Sequence, residues 1–401
     1  MPGGARTPPA GYRGVQSAGY RGVLTGASYL SMFFLGVGTA VIGAASGSIG
    51  HTPYQTGLLI SVQNVGFIVS VLASGALADS SDKARLMSAG SFLLAVSFFF
   101  YYLWPGYALN LVIMLFIGAG IGAYEGVADA MLLGIHEKRQ GLHISVNHFF
   151  VTFGALGITL YLIFLQMDWR RSMVQSAAVV CALAVLFLFS RAGTGGQESQ
   201  SLSRRMKFLR RQGVLAMLLL LATFSVGIEL GLTGLLPGFL RTIRGYDIVS
   251  SNIGLVLFLG GIAAGRVLLG LLTGRVRLLL MIRWLFAAAA VFSSVLFFVA
   301  LPPAGTVVAL ILTGLGVSSL LPLLITLTGT MYRDMSGTAL GIVKLAVPIG
   351  GIVVPFIVSL VSRWSSFQLA LGIFPCLAAA GFLVLAAAGQ RIQARVRALQ
   401  T

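Results

Sequence analysis

Long apolar segments recur along the whole chain, and they constrain its fold more than any other feature. About 20 consecutive apolar residues are enough to cross the hydrocarbon core of a bilayer. Because lipid offers the backbone no hydrogen-bond partner, each such segment is expected to be helical. The predicted segments are 22–48, 55–78, 85–104, 109–134, 141–166, 172–191, 213–238, 249–273, 279–301, 306–331, 337–361 and 367–389. We therefore predict an all-α membrane protein with twelve transmembrane helices.

The basic residues lie mainly in short connectors on one predicted side of the membrane. The formal net charge of +17 would suggest nucleic-acid binding in a soluble chain. Most Lys and Arg lie in the two tails and in alternate connectors, whereas Arg170, Arg171, Arg241, Arg244 and Arg363 lie in connectors on the opposite side. The positive-inside rule then predicts an inner-membrane protein with both termini in the cytoplasm. Topology and attraction to anionic lipids account for the charge, and no nucleic-acid partner is expected.

One long polar stretch, 192–212, separates six predicted helices from six. It is rich in Gly, Ser, Gln and Arg, which favours a cytoplasmic linker. We predict an N-terminal cytoplasmic tail at 1–21, which lacks the apolar core and cleavage site of a signal peptide. The two six-helix bundles are predicted at 22–191 and 213–389, and a C-terminal cytoplasmic tail at 390–401.

The two halves share landmarks at a constant spacing. Shifting the second half back by 195 or 196 residues aligns Gly75 with Gly270 and Gly141 with Gly337. A constant offset in chain order indicates an internal duplication. Two six-helix halves joined by a central loop resemble the plan of the major facilitator superfamily. The resemblance implies two pseudo-symmetric six-helix bundles, a binding site near the membrane midplane between them, and alternating access by rocking.

Carboxylates inside the apolar segments are the main functional candidates. Glu125 and Asp129 lie in the fourth segment and Glu229 lies in the seventh. A charge in hydrocarbon costs about 2.5–3.5 kcal/mol on insertion scales, so such residues usually face a cavity and serve transport. Glu125 and Asp129 are spaced i, i+4 and share one helix face. Two carboxylates this close disfavour simultaneous ionisation, so one of them is expected to carry a proton near neutral pH. The alternative for Asp129 is contact with the inner loops.

The remaining charges at membrane depth leave alternatives open. Glu229 could contact substrate or close an outer gate, or it could form a structural hydrogen bond to a neighbouring helix. Lys344 in the eleventh segment is the predicted counter-charge for Glu125 or Asp129, and its alternative is to extend to the membrane surface. Arg266 in the eighth segment is predicted to be structural.

Neutral polar side chains at membrane depth form a second set of candidates. Gln63, Asn64, Asn147 and His148 could bind a hydroxylated substrate, although such groups also hold helices together. No spacing resembles a catalytic triad, a metal cage or a phosphate-binding loop. We therefore expect no enzymatic activity, no metal and no cofactor.

The connector between the second and third segments carries a further resemblance to the superfamily. The sequence GALAD at 75–79, followed by Arg85, is similar to the superfamily's Gly-x-Leu-x-Asp-Arg-x-Gly-Arg loop. The resemblance implies a gating role for Gly75, Asp79 and Arg85, because the acid of that loop caps and pairs with neighbouring basic groups to hold one conformation closed. Ser80 stands where the superfamily has a basic residue.

Within the superfamily, the chain most resembles the fucose–galactose–glucose:proton symporter group. The similar sequences are YEGVAD at 124–129, NHFF at 147–150, VGIE at 226–229 and GG at 260–261, followed by Gly265 and Arg266. The resemblance implies monosaccharide uptake with protons, with Glu125 as the titrating acid and His148 at a sugar-contact position. Tyr124, beside Glu125, joins the predicted substrate-binding residues. Members that couple to protons through the first helix carry an acid there, which this chain lacks at 36–50. Coupling would then rest on Glu125, use Asp129 or be absent.

The leading hypothesis is a secondary transporter of a small organic solute, sugar-like being the favoured class, with proton coupling. An exporter of amphipathic or lipid-like molecules is the rival hypothesis, because the first and seventh segments contain few Asn and Gln. A membrane sensor or scaffold that keeps the transporter fold is a third. We expect a monomer whose partners are a small-molecule substrate, protons and membrane lipids.

Overall fold

The computed structural model describes residues 18–49, 53–163, 168–192, 207 and 212–400. The first six helices are α1 Ala18–Ile49, α2 Pro53–Leu77, α3 Lys83–Phe100, α4 Tyr107–Ile135, α5 Gln140–Ile163 and α6 Trp169–Leu188. The next three are α7 Gly213–Thr242, α8 Ile248–Leu272 and α9 Leu278–Phe298. The last three each consist of two segments: α10 Pro303–Ser318 and Leu320–Met331, α11 Ser336–Lys344 and Ala346–Trp364, and α12 Phe367–Leu371 and Ile373–Gln400.

The described residues contain 12 helices that are long and apolar enough to cross a membrane. The chain is therefore an integral multi-pass membrane protein, and the prediction of an all-α fold is confirmed. The largest difference from the predicted boundaries is in α12, which continues to Gln400 rather than ending at 389. Hydropathy reports where a helix leaves the hydrocarbon, and a helix can continue past that point.

Prolines explain the interruptions in α10, α11 and α12. Proline has no N–H and cannot bond to the carbonyl four residues earlier. Pro322, Pro348 and Pro375 therefore cannot donate to the carbonyls of Ser318, Lys344 and Leu371, and each helix is interrupted at the residue after that carbonyl. The first two interruptions directly follow the buried polar residues Ser318 and Lys344.

The contacts between helices divide the chain into two compact packing units. The first packing unit comprises the described residues within 1–137, 150–209 and 332–341. The second comprises those within 138–149, 210–331 and 342–401. The first part of α5 thus packs with the second unit and the beginning of α11 packs with the first. The predicted division at the linker 192–212 remains a prediction, because most of the linker lies outside the described residues.

Glycines bring α2 and α4 of the first packing unit into close contact. A Cβ atom at Gly66 would lie 2.0 Å from the carbonyl oxygen of Leu115, and one at Gly118 would lie 1.9 Å from that of Gln63. Such distances are far below van der Waals contact, so both positions require glycine. Small residues that let backbones approach closely are the usual basis of helix packing in membranes.

The second packing unit repeats this arrangement between α8 and α10. A Cβ atom at Gly261 would lie 2.3 Å from the carbonyl oxygen of Ile311, and one at Gly314 would lie 2.2 Å from that of Phe258. These four residues correspond to the four of the first unit at offsets of 195 or 196 residues, the same offsets that align the sequence landmarks. The duplication is therefore present in the packing as well as in the sequence.

Candidate functional site

Two buried carboxylates lie together on α4 in the first packing unit. Glu125 is 4% exposed and Asp129 is fully buried. A carboxylate oxygen of each lies within 4.8 Å of the other, so the i, i+4 spacing places them on one face. We call Glu125 and Asp129 the acid pair.

Helices α2 and α3 hold α4 rigidly around the acid pair. Gly126, next to Glu125, packs on α2, where an added Cβ atom would lie 2.2 Å from the hydroxyl of Ser74. On the other side the buried Tyr124 donates its hydroxyl to Ser91 of α3 at 2.7 Å. The acid pair is thus carried by a fixed helix rather than by a loop. The role of Tyr124 in substrate binding stays a prediction, because its hydroxyl hydrogen is directed towards α3 in this conformation.

The polar residues of α2 contact backbone groups. The buried Gln63 donates its amide to the carbonyl of Gly38 at 2.7 Å and so joins α2 to α1. Asn64 is half-buried and donates to the carbonyl of Ile60, one turn earlier in the same helix, at 3.0 Å. Their predicted substrate contacts stay predictions.

Two of the three predicted gating residues meet the beginning of α11. Asp79 accepts hydrogen bonds from the backbone N–H of Gly337 at 2.7 Å and of Thr338 at 2.9 Å, and from the Thr338 hydroxyl. Gly75 allows this approach, because a Cβ atom there would lie 2.7 Å from the carbonyl oxygen of Gly337. A helix N-terminus offers unpaired N–H groups and a partial positive charge, which a carboxylate satisfies. We call this contact the Asp79 clasp. The third residue, Arg85, is exposed and lines a separate pocket.

The second packing unit contains the related contact without an acid. A Cβ atom at Gly141 of α5 would lie 2.5 Å from Thr273, and one at Gly270 of α8 would lie 3.0 Å from Ser145. Gly270 corresponds to Gly75 in the repeat, and Gly141 corresponds to Gly337. At the same offset, Gly274 replaces Asp79. Of these two contacts, only the one in the first packing unit has the clasp.

Arg266 connects four helices of the second packing unit. Its guanidinium donates to the Glu229 carboxylate of α7 at 2.6 Å, to the carbonyl of Ser318 in α10 at 3.1 Å and to the carbonyl of His148 in α5 at 2.7 Å. Arg266 is 3% exposed. The Ser318 carbonyl is the one that Pro322 leaves free, so the guanidinium replaces the missing N–H. We call this set of contacts the Arg266 network.

Four more predicted site residues lie in the second packing unit. Glu229 forms an ion pair with a neighbouring helix in this conformation, and its contact with substrate stays a prediction. Asn147 and His148 are buried on α5. Lys344 is fully buried where α11 is interrupted, so in this structure it does not extend to the surface. Its pairing with Glu125 or Asp129 stays a prediction.

Sequence reasoning predicted a structural role for Arg266 but did not identify its contact with the Ser318 carbonyl, and it did not identify Thr338 as the partner of Asp79. A general rule could have found the first. A proline inside a buried helix leaves a free carbonyl four residues earlier, and a buried arginine on a neighbouring helix is a suitable donor for it. The partner of Asp79 depends on which helices pack together and has no comparable local pattern.

Comparisons with known proteins identify a family and solved structures that share this architecture. Residues 23–355 match the sequence profile of the Major Facilitator Superfamily. No curated protein sequence matches the chain. Among solved structures, a variant of the E. coli fucose:proton symporter FucP is similar, with a TM-score of 0.76 and 19% identity over 91% of this chain and 98% of that one.

Two further structures extend the comparison. The proton:xylose symporter XylE, bound to 6-bromo-6-deoxy-D-glucose, has a TM-score of 0.70 and 14% identity over 91% of this chain and 95% of that one. The human organic anion transporter MFSD10 has a TM-score of 0.70 and 12% identity over 91% and 97%, respectively. At such identities these likenesses concern the fold alone.

Proposed function

Because the chain belongs to the major facilitator superfamily, a superfamily of secondary transporters, we propose that it moves a small organic solute by alternating access and couples this movement to protons. The observation that carries the proposal is the acid pair, Glu125 and Asp129. Both carboxylates are buried in a membrane-spanning helix, and their oxygens lie within 4.8 Å of each other. Intramembrane acids at such positions commonly form proton relays in transporters.

The chemistry of the acid pair suits reversible proton loading. With one proton, the pair carries a single negative charge and contains both a donor and an acceptor. Loss of that proton would place two buried negative charges together, which favours a conformational change that hydrates them or brings a cation to them. The contacts of Gly126 with α2 and of Tyr124 with α3 hold the backbone of α4, so both carboxylates stay on one face of the same packed helix.

We propose a sugar-like solute as the substrate. FucP and XylE are named as symporters of fucose and xylose with protons, and both share the fold. The buried polar residues Asn147 and His148 offer the amide and imidazole groups that bind hydroxyl groups. The distribution of Lys and Arg supports an inner-membrane location with both termini in the cytoplasm.

An amphipathic or anionic solute is the second candidate. The first packing unit contains a largely apolar pocket of about 330 Å³ whose wall includes Phe33, Phe34 and Phe153 together with the polar groups of Tyr161 and Gln175. Such a surface suits a hydrophobic body with one polar end. MFSD10, named as an organic anion transporter, shares the fold, and the buried Lys344 would favour a negative charge.

A ligand screen followed by transport measurements tests the proposal. Purified protein is screened for thermal stabilisation by neutral monosaccharides, organic acids and amphipathic anions, and the best ligand is then followed into proteoliposomes with an imposed pH gradient. We expect accumulation that collapses with the gradient in the wild type and is lost in Glu125→Gln. The control is Glu137→Gln, which makes the same change at an exposed position just beyond α4.

The outcomes separate the hypotheses. Accumulation by Glu125→Gln and Asp129→Asn at the wild-type level would refute coupling through the acid pair. Stabilisation by amphipathic anions, but not by sugars, would favour the second candidate. Ligand binding without flux in any gradient would favour the sensor hypothesis.

A further inference from the structure

A second pocket of the first packing unit lies apart from the acid pair. It is formed where α2 ends, where α3 begins and where the chain leaves α6. Its volume is about 630 Å³. The residues that line it are Ser80, Ser81, Asp82, Arg85, Leu86 and Arg191. We call it the Arg85–Arg191 pocket, and its function is separate from the transport proposed above.

The charge of the Arg85–Arg191 pocket favours an anion. Two arginines and one aspartate give its side chains a net charge of +1. The Asp82 oxygen Oδ1 accepts hydrogen bonds from the backbone N–H groups of Ala84 at 2.9 Å, and of Arg85 and Ala192 at 3.3 Å each. The carboxylate is therefore engaged in capping the N-terminus of α3 and in fixing the segment that follows α6. Both arginines are exposed, so their guanidinium groups are accessible to a ligand.

The position of Arg191 is fixed by α1. The Arg191 N–H donates to the hydroxyl of Tyr20 at 2.5 Å, and that hydroxyl lies 3.2 Å from the Arg191 carbonyl oxygen and donates to it. A guanidinium group on an anchored backbone loses less conformational entropy on binding than one on a free loop. Two guanidinium groups at one pocket can each bind a phosphate group in the bidentate geometry that arginine favours.

The apolar surface beside the pocket indicates where the ligand comes from. Near the end of α6, Val185 is 51% exposed, Leu188 is 60% exposed and Phe189 is 83% exposed. In a membrane-spanning helix such residues face acyl chains. Arg191 follows them by two residues, so the pocket lies at the level where acyl chains give way to headgroups.

We propose that the Arg85–Arg191 pocket binds the headgroup of an anionic phospholipid whose acyl chains lie along the exposed end of α6. The apolar surface distinguishes this ligand from a soluble phosphate, which would need the arginines alone. A bound lipid would bridge the ends of α2, α3 and α6 and would secure this end of the first packing unit to the membrane.

Native mass spectrometry of the detergent-purified protein tests the proposal. Phosphatidylglycerol and phosphatidylcholine with identical acyl chains are titrated against the wild type, Arg85→Gln, Arg191→Gln and the double variant. A basic residue near an anionic surface contributes about fivefold in affinity. We therefore expect phosphatidylglycerol to bind about fivefold more weakly in each single variant and more than tenfold more weakly in the double variant. Binding of phosphatidylcholine should change little.

The control is Arg241→Gln, which removes an exposed arginine at the end of α7 and should retain wild-type affinity. Equal losses in this control and in Arg85→Gln would mean that only the net charge matters, which would overturn the proposal. Inorganic phosphate that displaces phosphatidylglycerol at millimolar concentration would identify a soluble phosphate site instead. Size-exclusion profiles establish that each variant is folded. Arg85→Lys provides a second variant, which keeps the positive charge but lacks the bidentate donor geometry of a guanidinium group.

Discussion

Replacing Arg266 by methionine should strongly destabilise the second packing unit. The change removes three hydrogen bonds to three other helices, at 2.6, 2.7 and 3.1 Å. It leaves the Glu229 carboxylate, 16% exposed, without its cation. Removing one partner of a buried ion pair costs about 3–5 kcal/mol. Glu229→Gln also leaves the buried Arg266 without its counter-charge, but it should cost less, because an amide oxygen still accepts a hydrogen bond and both carbonyl contacts of Arg266 remain.

Thermal unfolding of the purified variants measures these costs. The expected order of Tm is wild type, then Glu229→Gln, then Arg266→Met, while the exposed Arg363→Met serves as the control with an unchanged Tm. Pro322→Ala supplies the N–H that the Ser318 carbonyl lacks, so it should recover about 1 kcal/mol in the Arg266→Met background. Strictly additive effects of Pro322→Ala and Arg266→Met would refute the view that the guanidinium replaces the missing N–H.

Two further predictions concern helix contacts. Asp79→Asn keeps the size of the side chain but replaces one acceptor oxygen by a donor, so the Asp79 clasp should weaken by about 1.5–3 kcal/mol. Spin labels at Ser80 and Arg333 should then report a longer or broader distance distribution than in the unsubstituted protein, and an unchanged distribution would contradict the clasp. Gly261→Ala should lower the Tm or prevent folding, because its Cβ atom would lie 2.3 Å from a backbone oxygen, whereas the adjacent Gly260→Ala has open space and should be neutral or slightly stabilising.

Much of the fold could be predicted from the lengths of the apolar segments and from the internal repeat. Hydropathy predicted the helices, because only hydrogen-bonded backbone can enter lipid. The constant offset went further, because glycines that align in the two halves, such as Gly118 and Gly314, occupy equivalent close contacts between helices. A glycine needed for close approach is retained in both copies, so the repeat carries information about packing.

Proline alone does not predict where a helix is interrupted, because Pro237 and Pro355 lie within helical segments that continue. The interruptions at Ser319 and Leu345 nevertheless share one feature. Each lies three residues before a proline, where the preceding carbonyl has lost its helical donor. Hydropathy cannot detect them, since an interrupted helix remains apolar.

The partners of the charged residues could not be predicted in the same way. The i, i+4 spacing placed Glu125 and Asp129 together because a single helix fixes that geometry. The contacts of Asp79 with Thr338 and of Arg266 with Glu229 join residues far apart in the chain. Such pairs depend on which helices pack and at what rotation, and hydropathy constrains neither.

Comparing counterflow with gradient-driven uptake is the most direct test of the role of the acid pair. In proteoliposomes loaded with unlabelled substrate, a Glu125→Gln, Asp129→Asn double variant should still exchange labelled substrate, because exchange requires binding and alternating access alone. Under an imposed pH gradient the same variant should fail to accumulate substrate, while the wild type accumulates it severalfold. Accumulation by the double variant at the wild-type level would contradict the account.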